Sequence, residues 1–165
     1  MKRVTIHADG SSKGNPGPGG YGVVLQHGKH RKELSGGYRR TTNNRMELRA
    51  CIVALRALRE RCAVELHSDS RYVVDGVTKG WARNWRGRGW RKGDKKRPEN
   101  VDLWRELLDL LEKHEVQFRW LRGHAGDPEN ERCDQLATRA ADQPSLPPDE
   151  GYEAADDSPA GLFDD

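Results

Sequence analysis

The order of the periodic segments restricts the fold of this chain more than any single motif does. Val4 to Asp9, Tyr21 to Gln26 and Arg31 to Tyr38 carry strand patterns, joined by a Gly-rich loop (Gly10 to Gly20) and a His27-Gly28-Lys29-His30 turn. From residue 41 on, helices and strands alternate. Leu48, Cys51, Ile52, Leu55 and Leu58 fall at helical spacing and predict a helix to about Arg61. Val64 to Ser68 predicts a short strand, Arg71 to Lys79 a helix, Val101 to Lys113 an amphipathic helix, and Val116 to Leu121 a further strand. Asp127-Pro128, a capping residue before a first-turn proline, opens a last helix to about Ala141. Hairpin-joined strands pair antiparallel, whereas strands separated by helices lie parallel, so the expected architecture is α/β, a mixed sheet with helices on its faces.

A chain of 165 residues is one domain and can bury a core without disulfides or a structural metal. Cys51, Cys62 and Cys133 have neither paired nor zinc-like spacing and are expected as reduced, buried thiols. There is no membrane-spanning apolar run and no signal-peptide core at the N-terminus, which points to a cytoplasmic protein with no membrane partner. The net charge is only +3, but it is unevenly spread. Residues 142–165 hold eight acids and no Lys or Arg, leaving 29 basic against 18 acidic residues in 1–141, a net of +11. That basic body is the expected footprint of a polyanion-binding protein. The acidic, Pro-rich remainder reads as a disordered tail, with Leu162-Phe163 its one apolar pair.

Four carboxylates fall where a mixed sheet could gather them. Asp9 and Asp69 follow or end strands, and Glu47 and Asp134 lie in the early turns of helices. Four acids in one cleft repel unless cations neutralise them, and all-oxygen ligands favour Mg²⁺ or Mn²⁺ over zinc. The stretch Thr41-Thr42-Asn43-Asn44-Arg45-Met46-Glu47-Leu48 also admits a plain capping role, with Glu47 three residues after Asn44 as in a capping box. Gly17, Gly19 and Gly22 satisfy a dinucleotide-binding pattern, but a strand follows instead of a helix, which excludes that function.

Six segments occur in order: Thr5-Ile6-His7-Ala8-Asp9-Gly10-Ser11, the Gly14-Asn15-Pro16-Gly17-Pro18-Gly19-Gly20-Tyr21-Gly22 loop, Thr42 to Leu48, Ser68-Asp69-Ser70, Asn100-Val101-Asp102-Leu103-Trp104, and Gly123-His124-Ala125-Gly126 through Asn130 to Asp134. Together, over about residues 4 to 141, the chain resembles a bacterial type 1 ribonuclease H. The resemblance implies a five-stranded mixed sheet, three antiparallel strands then two parallel, flanked by helices on both faces. It implies Asp9, Glu47, Asp69 and Asp134 as ligands of two Mg²⁺ ions, with Mn²⁺ as a substitute. The implied reaction is sequence-nonspecific hydrolysis of the RNA strand of an RNA/DNA hybrid by a monomer, leaving a 5′-phosphate and a 3′-hydroxyl. His124 matches the family's mobile histidine, assigned to proton shuttling or product release.

The resemblance also implies substrate contacts from Gly10, Ser11 and Asn100, with Asn43 on RNA, Asn44 on the DNA strand, and Thr42, Arg45 and Asn15 on a DNA phosphate. Short amides suit 2′-hydroxyls and base edges of a shallow minor groove. Arg71 departs from the family's glutamine, placing a charge where an amide is common. Trp81, Trp85 and Trp90 interleave with Arg83, Arg86, Arg88, Arg91, Lys92, Lys95, Lys96 and Arg97. Trp81 and Trp85, one turn apart, are expected to pack, and the eight cations to grip phosphates as the basic protrusion, residues 81–97, of the catalytic domain. A binding module with a silent site would lack at least one acid. Leu162-Phe163 as a docking peptide for a replication partner is weaker than a solubilising tail.

Overall fold

In the computed structural model, residues 1–123 and 126–157 are described. Three strands, β1 (Lys2–Ser12), β2 (Gly17–His27) and β3 (His30–Thr41), form an antiparallel meander. Helix α1 (Asn43–Arg56) crosses to β4 (Cys62–Ser68), and helices α2 (Arg71–Thr78), α3 (Trp81–Gly87) and α4 (Val101–Lys113) precede β5 (Glu115–Trp120). Helices α5 (Pro128–Ala141) and α6 (Glu150–Asp157) follow. The sheet order is β3-β2-β1-β4-β5, with β4 parallel to β1 and β5 parallel to β4. The expected mixed sheet is therefore present, with β1 at its centre.

Missing side chains let both helical layers approach closely. On one face, a Cβ at Gly10 of β1 would overlap the Met46 carbonyl of α1. On the other, Cβ atoms at Gly20 and Gly22 of β2 would overlap the backbone of α5 at Ala137 and Cys133. Ile6, Leu48, Ile52, Leu55, Leu66, Leu103 and Leu107 are buried in the core cluster that joins the sheet to α1 and α4. Each side chain of this size contributes roughly 1.5–3 kcal/mol on burial. Trp104 lies in the same cluster, with Trp85 edge-on at 6.0 Å and its indole N–H donated to the Tyr72 hydroxyl at 2.8 Å. A buried indole keeps its N–H partnered because an unpaired donor is costly.

Three expectations need correction. Helix α1 ends at Arg56, short of Arg61, where Arg59, Glu60 and Arg61 supply no further apolar face. Trp81 is 43% exposed and does not join Trp85 in the core. Residues 142–157 are ordered against the domain: the Arg39 N–H donates to the Pro147 carbonyl at the outer edge of β3, α6 follows, and Asp149 is completely buried. Ion pairs of Lys13 with Asp142, Arg39 with Glu153 and Arg45 with Asp149 tie this segment down, contacts that a hydropathy pattern does not reveal. Leu162-Phe163 lies outside the described residues. No helix among the described residues is long and apolar enough to cross a membrane.

Candidate active site

The carboxylates converge where β1 and β4 run side by side. Ala8 pairs with Ser68, so Asp69, the residue after β4, emerges beside Asp9. Gly10, next along β1, donates its N–H to Glu47 Oε1 at 2.6 Å, fixing the α1 carboxylate from the opposite layer. Thr42, not Glu47, caps α1: its side chain accepts from the Arg45 N–H at 3.2 Å. Glu47 lies beyond the capped first turn, so its carboxylate is turned to the cleft. Asp9, Glu47 and Asp69 each offer an oxygen, all within 4.8 Å of one another. Asp134, on α5, lines the same cleft of about 420 Å³ without joining that tight set.

This clustering is costly to a protein without counter-ions. Burial first, and then the negative charge of Asp69, push the Asp9 carboxyl up to about 8. Burial and the charges of Asp9 and Asp69 likewise raise Glu47 well above its ordinary value. Glu47 Oε2 is buried with no hydrogen-bond partner. A hard divalent cation fits this donor set, because it would take up that oxygen and offset the repulsion. Beneath the acids, His7 and His67 stack with ring centroids 4.5 Å apart, and His7 Nε2 lies 3.5 Å from Asp127, the cap of α5.

The expected substrate residues separate into two groups. Ser11, Asn43, Asn44 and Arg71 line the cleft with Gly10, and Asn15 joins Asn43 at its mouth, its Oδ1 accepting the Asn43 N–H at 3.2 Å. The Arg71 guanidinium lies 3.7 Å over the Trp120 ring, whose indole N–H donates to the Asp69 carbonyl at 3.2 Å. Thr42 is occupied by its cap. Arg45 is almost wholly buried and pairs bidentately with Asp102 at 2.9 and 2.8 Å and with Asp149 at 2.7 and 2.9 Å. Its side-chain donors are taken up by these two carboxylates and by Asn100. Asn100 is drawn into the same network, accepting from Arg45 at 3.3 Å and donating to the Tyr72 hydroxyl at 3.0 Å. His124 lies outside the described residues; a Cβ at the preceding Gly123 would stand 3.7 Å from Asp69 Oδ2.

Sequence reasoning missed Asp149, Asp102, Tyr72 and Trp120. Asp149 sits among prolines and acids with no periodicity, so nothing local distinguishes it from a solvated acid. In the protrusion, Arg86 is bound back to Asp109 at 2.7 Å and to the Arg105 carbonyl at 3.1 Å. Arg83, Arg88, Arg91, Lys95, Lys96 and Arg97 are exposed, with no ion pair among the described residues.

Comparison with known proteins gives one consistent result. The sequence profile of the RNase H family matches residues 1–142. The chain is 58% identical over 152 residues to ribonuclease H of Rippkaea orientalis, covering 92% of this chain and 93% of the relative. It is 56% identical over 153 residues to ribonuclease H of Escherichia coli O127:H6, covering 93% and 97%. Among solved structures, LC9-RNase H1, a type 1 RNase H with the type 2 active-site motif, superposes with a TM-score of 0.77 at 36% identity, covering 99% of this chain and 85% of that one. LC11-RNase H1 in complex with an RNA/DNA hybrid gives 0.63 at 26% identity, covering 84% and 96%.

Proposed function

The chain belongs to the RNase H family, and from that premise we propose that it is an endonuclease hydrolysing the RNA strand of RNA/DNA hybrids without regard to base sequence. The observation that carries the reading is the Asp9, Glu47 and Asp69 oxygens within 4.8 Å of one another, with Glu47 Oε2 buried and unpartnered, in a cleft rimmed by carboxamides. Asp9, Glu47, Asp69 and Asp134 would hold two Mg²⁺ ions, with Mn²⁺ as a substitute. Bound there, such ions would supply an activated water and neutralise charge at the scissile phosphate.

The chain's own groups do the rest. The Gly10 N–H and the burial of Glu47 fix the ligand set before substrate arrives, so little reorganisation is needed at the phosphate. Water attacks phosphorus in line, the bond from phosphorus to the 3′ oxygen breaks, and that oxygen takes a proton, leaving 5′-phosphate and 3′-hydroxyl ends. His124 serves the proton transfer or product release. Asn43 and Asn44 contact the two strands, with Asn15 beside them, and the exposed cations of residues 83–97 hold phosphates. Arg71 adds a charge at the RNA strand. We assign the chain to the cytoplasm as a monomer, with residues 158–165 as a solubilising end.

One gel tests this. A labelled RNA/DNA hybrid and matched RNA and DNA duplexes are incubated with Mg²⁺ or EDTA, and with wild type or Asp69→Asn. Only the hybrid's RNA strand is expected to be cut, only with Mg²⁺ and only by wild type. Equal cutting of the DNA duplex, or cutting in EDTA, overturns the reading.

A further inference from the structure

Two carboxamides at the cleft mouth have their polarity fixed by the backbone. The Ser12 N–H donates to Asn43 Oδ1 at 2.6 Å, and the Ser12 hydroxyl lies 3.1 Å from the same oxygen. The Asn43 N–H in turn donates to Asn15 Oδ1 at 3.2 Å. A backbone N–H can meet only the oxygen of a carboxamide, so the orientation of both amides follows from their partners. Both side chains are exposed, and among the described residues neither amino group has a partner. Ser12 is itself anchored, its hydroxyl donating to the Gly14 carbonyl at 2.6 Å and its residue paired with Gly19 across the end of β1.

We infer that Ser12 is a positioning residue that makes the Asn43 side chain present donors only, as the Asn43 backbone N–H does for Asn15, so that the cleft reads atoms common to every base pair. The inference rests on the proposed duplex substrate and deepens it. In the minor groove every pair offers acceptors, purine N3 or pyrimidine O2, whereas the only donor is the guanine N2 amino group. A carboxamide free to turn over could accept from that amino group and would favour G·C steps. One held by its oxygen cannot. Asn43 donors therefore find a partner at any step, and lack of sequence preference becomes a property of the Ser12 contact instead of an absence of base contacts. Sugar and phosphate oxygens are acceptors too, so Asn15 keeps the same polarity at the backbone.

Single-atom changes in the hybrid test this. Purines are replaced one position at a time, in either strand, by 3-deazapurines, which lack N3, or by inosine for guanine, which lacks the N2 amino group. Cleavage by wild type and affinity of Asp69→Asn are both measured. The expected result is a loss of roughly 5–10-fold for a 3-deazapurine at one position of the footprint, the value of one hydrogen bond, and none for inosine. Asn43→Ala should erase the 3-deaza effect. Asn43→Asp keeps an oxygen on the Ser12 N–H but turns the free group into an acceptor, so it should transfer the sensitivity to inosine and favour guanine steps. Inosine sensitivity in wild type, no 3-deaza effect at any position, or 3-deaza sensitivity surviving in Asn43→Ala overturns the inference. If the unmodified hybrid is not cleaved by wild type, the enzymatic reading fails, while the affinity measurement still decides this one.

Discussion

Replacing Asp9 by Asn should stabilise the metal-free protein, and more so as pH rises. The Asp9 carboxyl is moved from an ordinary 3.8 to about 8 by burial and by the charge of Asp69. Between those values the folded state binds a proton that the unfolded state has lost, so wild-type stability falls with rising pH through this window and the penalty is complete above about 8. From pH 5 to pH 8 the Asp9 contribution is at most ~4 kcal/mol, at ~1.4 kcal/mol per pH unit. Asp9 and Glu47 share this repulsion, so part of the cost remains on Glu47 once Asp9 is neutral. About half, ~2 kcal/mol, should appear in the variant, or roughly 4–8 °C in melting temperature for a domain of this size. The assay is calorimetry of wild type and Asp9→Asn in EDTA at both pH values. The gap should widen by that amount at pH 8, and Mg²⁺ should narrow it by stabilising wild type. A gap independent of pH, or a variant less stable at pH 8, would refute the electrostatic reasoning.

Glu47→Gln should remain folded, since Thr42 caps α1, yet lose roughly 10²–10³-fold in kcat; a large fall in melting temperature with activity retained would return Glu47 to a structural role. Asp149→Ala leaves the buried Arg45 with Asp102 as its one carboxylate partner and should cost roughly 3 kcal/mol in urea unfolding; a loss below ~1 kcal/mol would show the Asp149 pair to be dispensable. Neutralising Arg88, Arg91, Lys95 and Arg97 should raise KM and reduce the slope of log affinity against log salt by about 3–4, and an unchanged slope would place the docking surface elsewhere. His124→Ala should lower turnover by roughly 10²-fold or more with hybrid affinity nearly constant, and an unchanged rate would remove the histidine from the chemistry.

The α/β class, the succession of strands and helices along the chain, and the elements on or next to which Asp9, Glu47, Asp69 and Asp134 sit were legible because each has a local signal. Strand alternation and helical spacing define the elements and Asp127-Pro128 marks the start of the last helix, but Asp9 and Gly10, read as a strand's end and a loop's start, both lie inside β1, which runs on to Ser12. The placement of side chains between elements was not legible. Arg45 sits in a motif that implies a phosphate contact, but whether its guanidinium faces a ligand depends on Asp102 and Asp149, 57 and 104 residues away. Asp149 carries no periodic pattern, so its segment reads as solvated tail until the buried cation it neutralises is in place. Asn43 and Asn15 are equally donors and acceptors as written; only the Ser12 and Asn43 backbone N–H groups, brought together by the packing of α1 on β1, decide which end of each amide faces out. Local sequence thus determined which groups are present and on which element. Tertiary structure decided their polarity, their charge state and which of them remain free, because those depend on partners that only folding brings within reach.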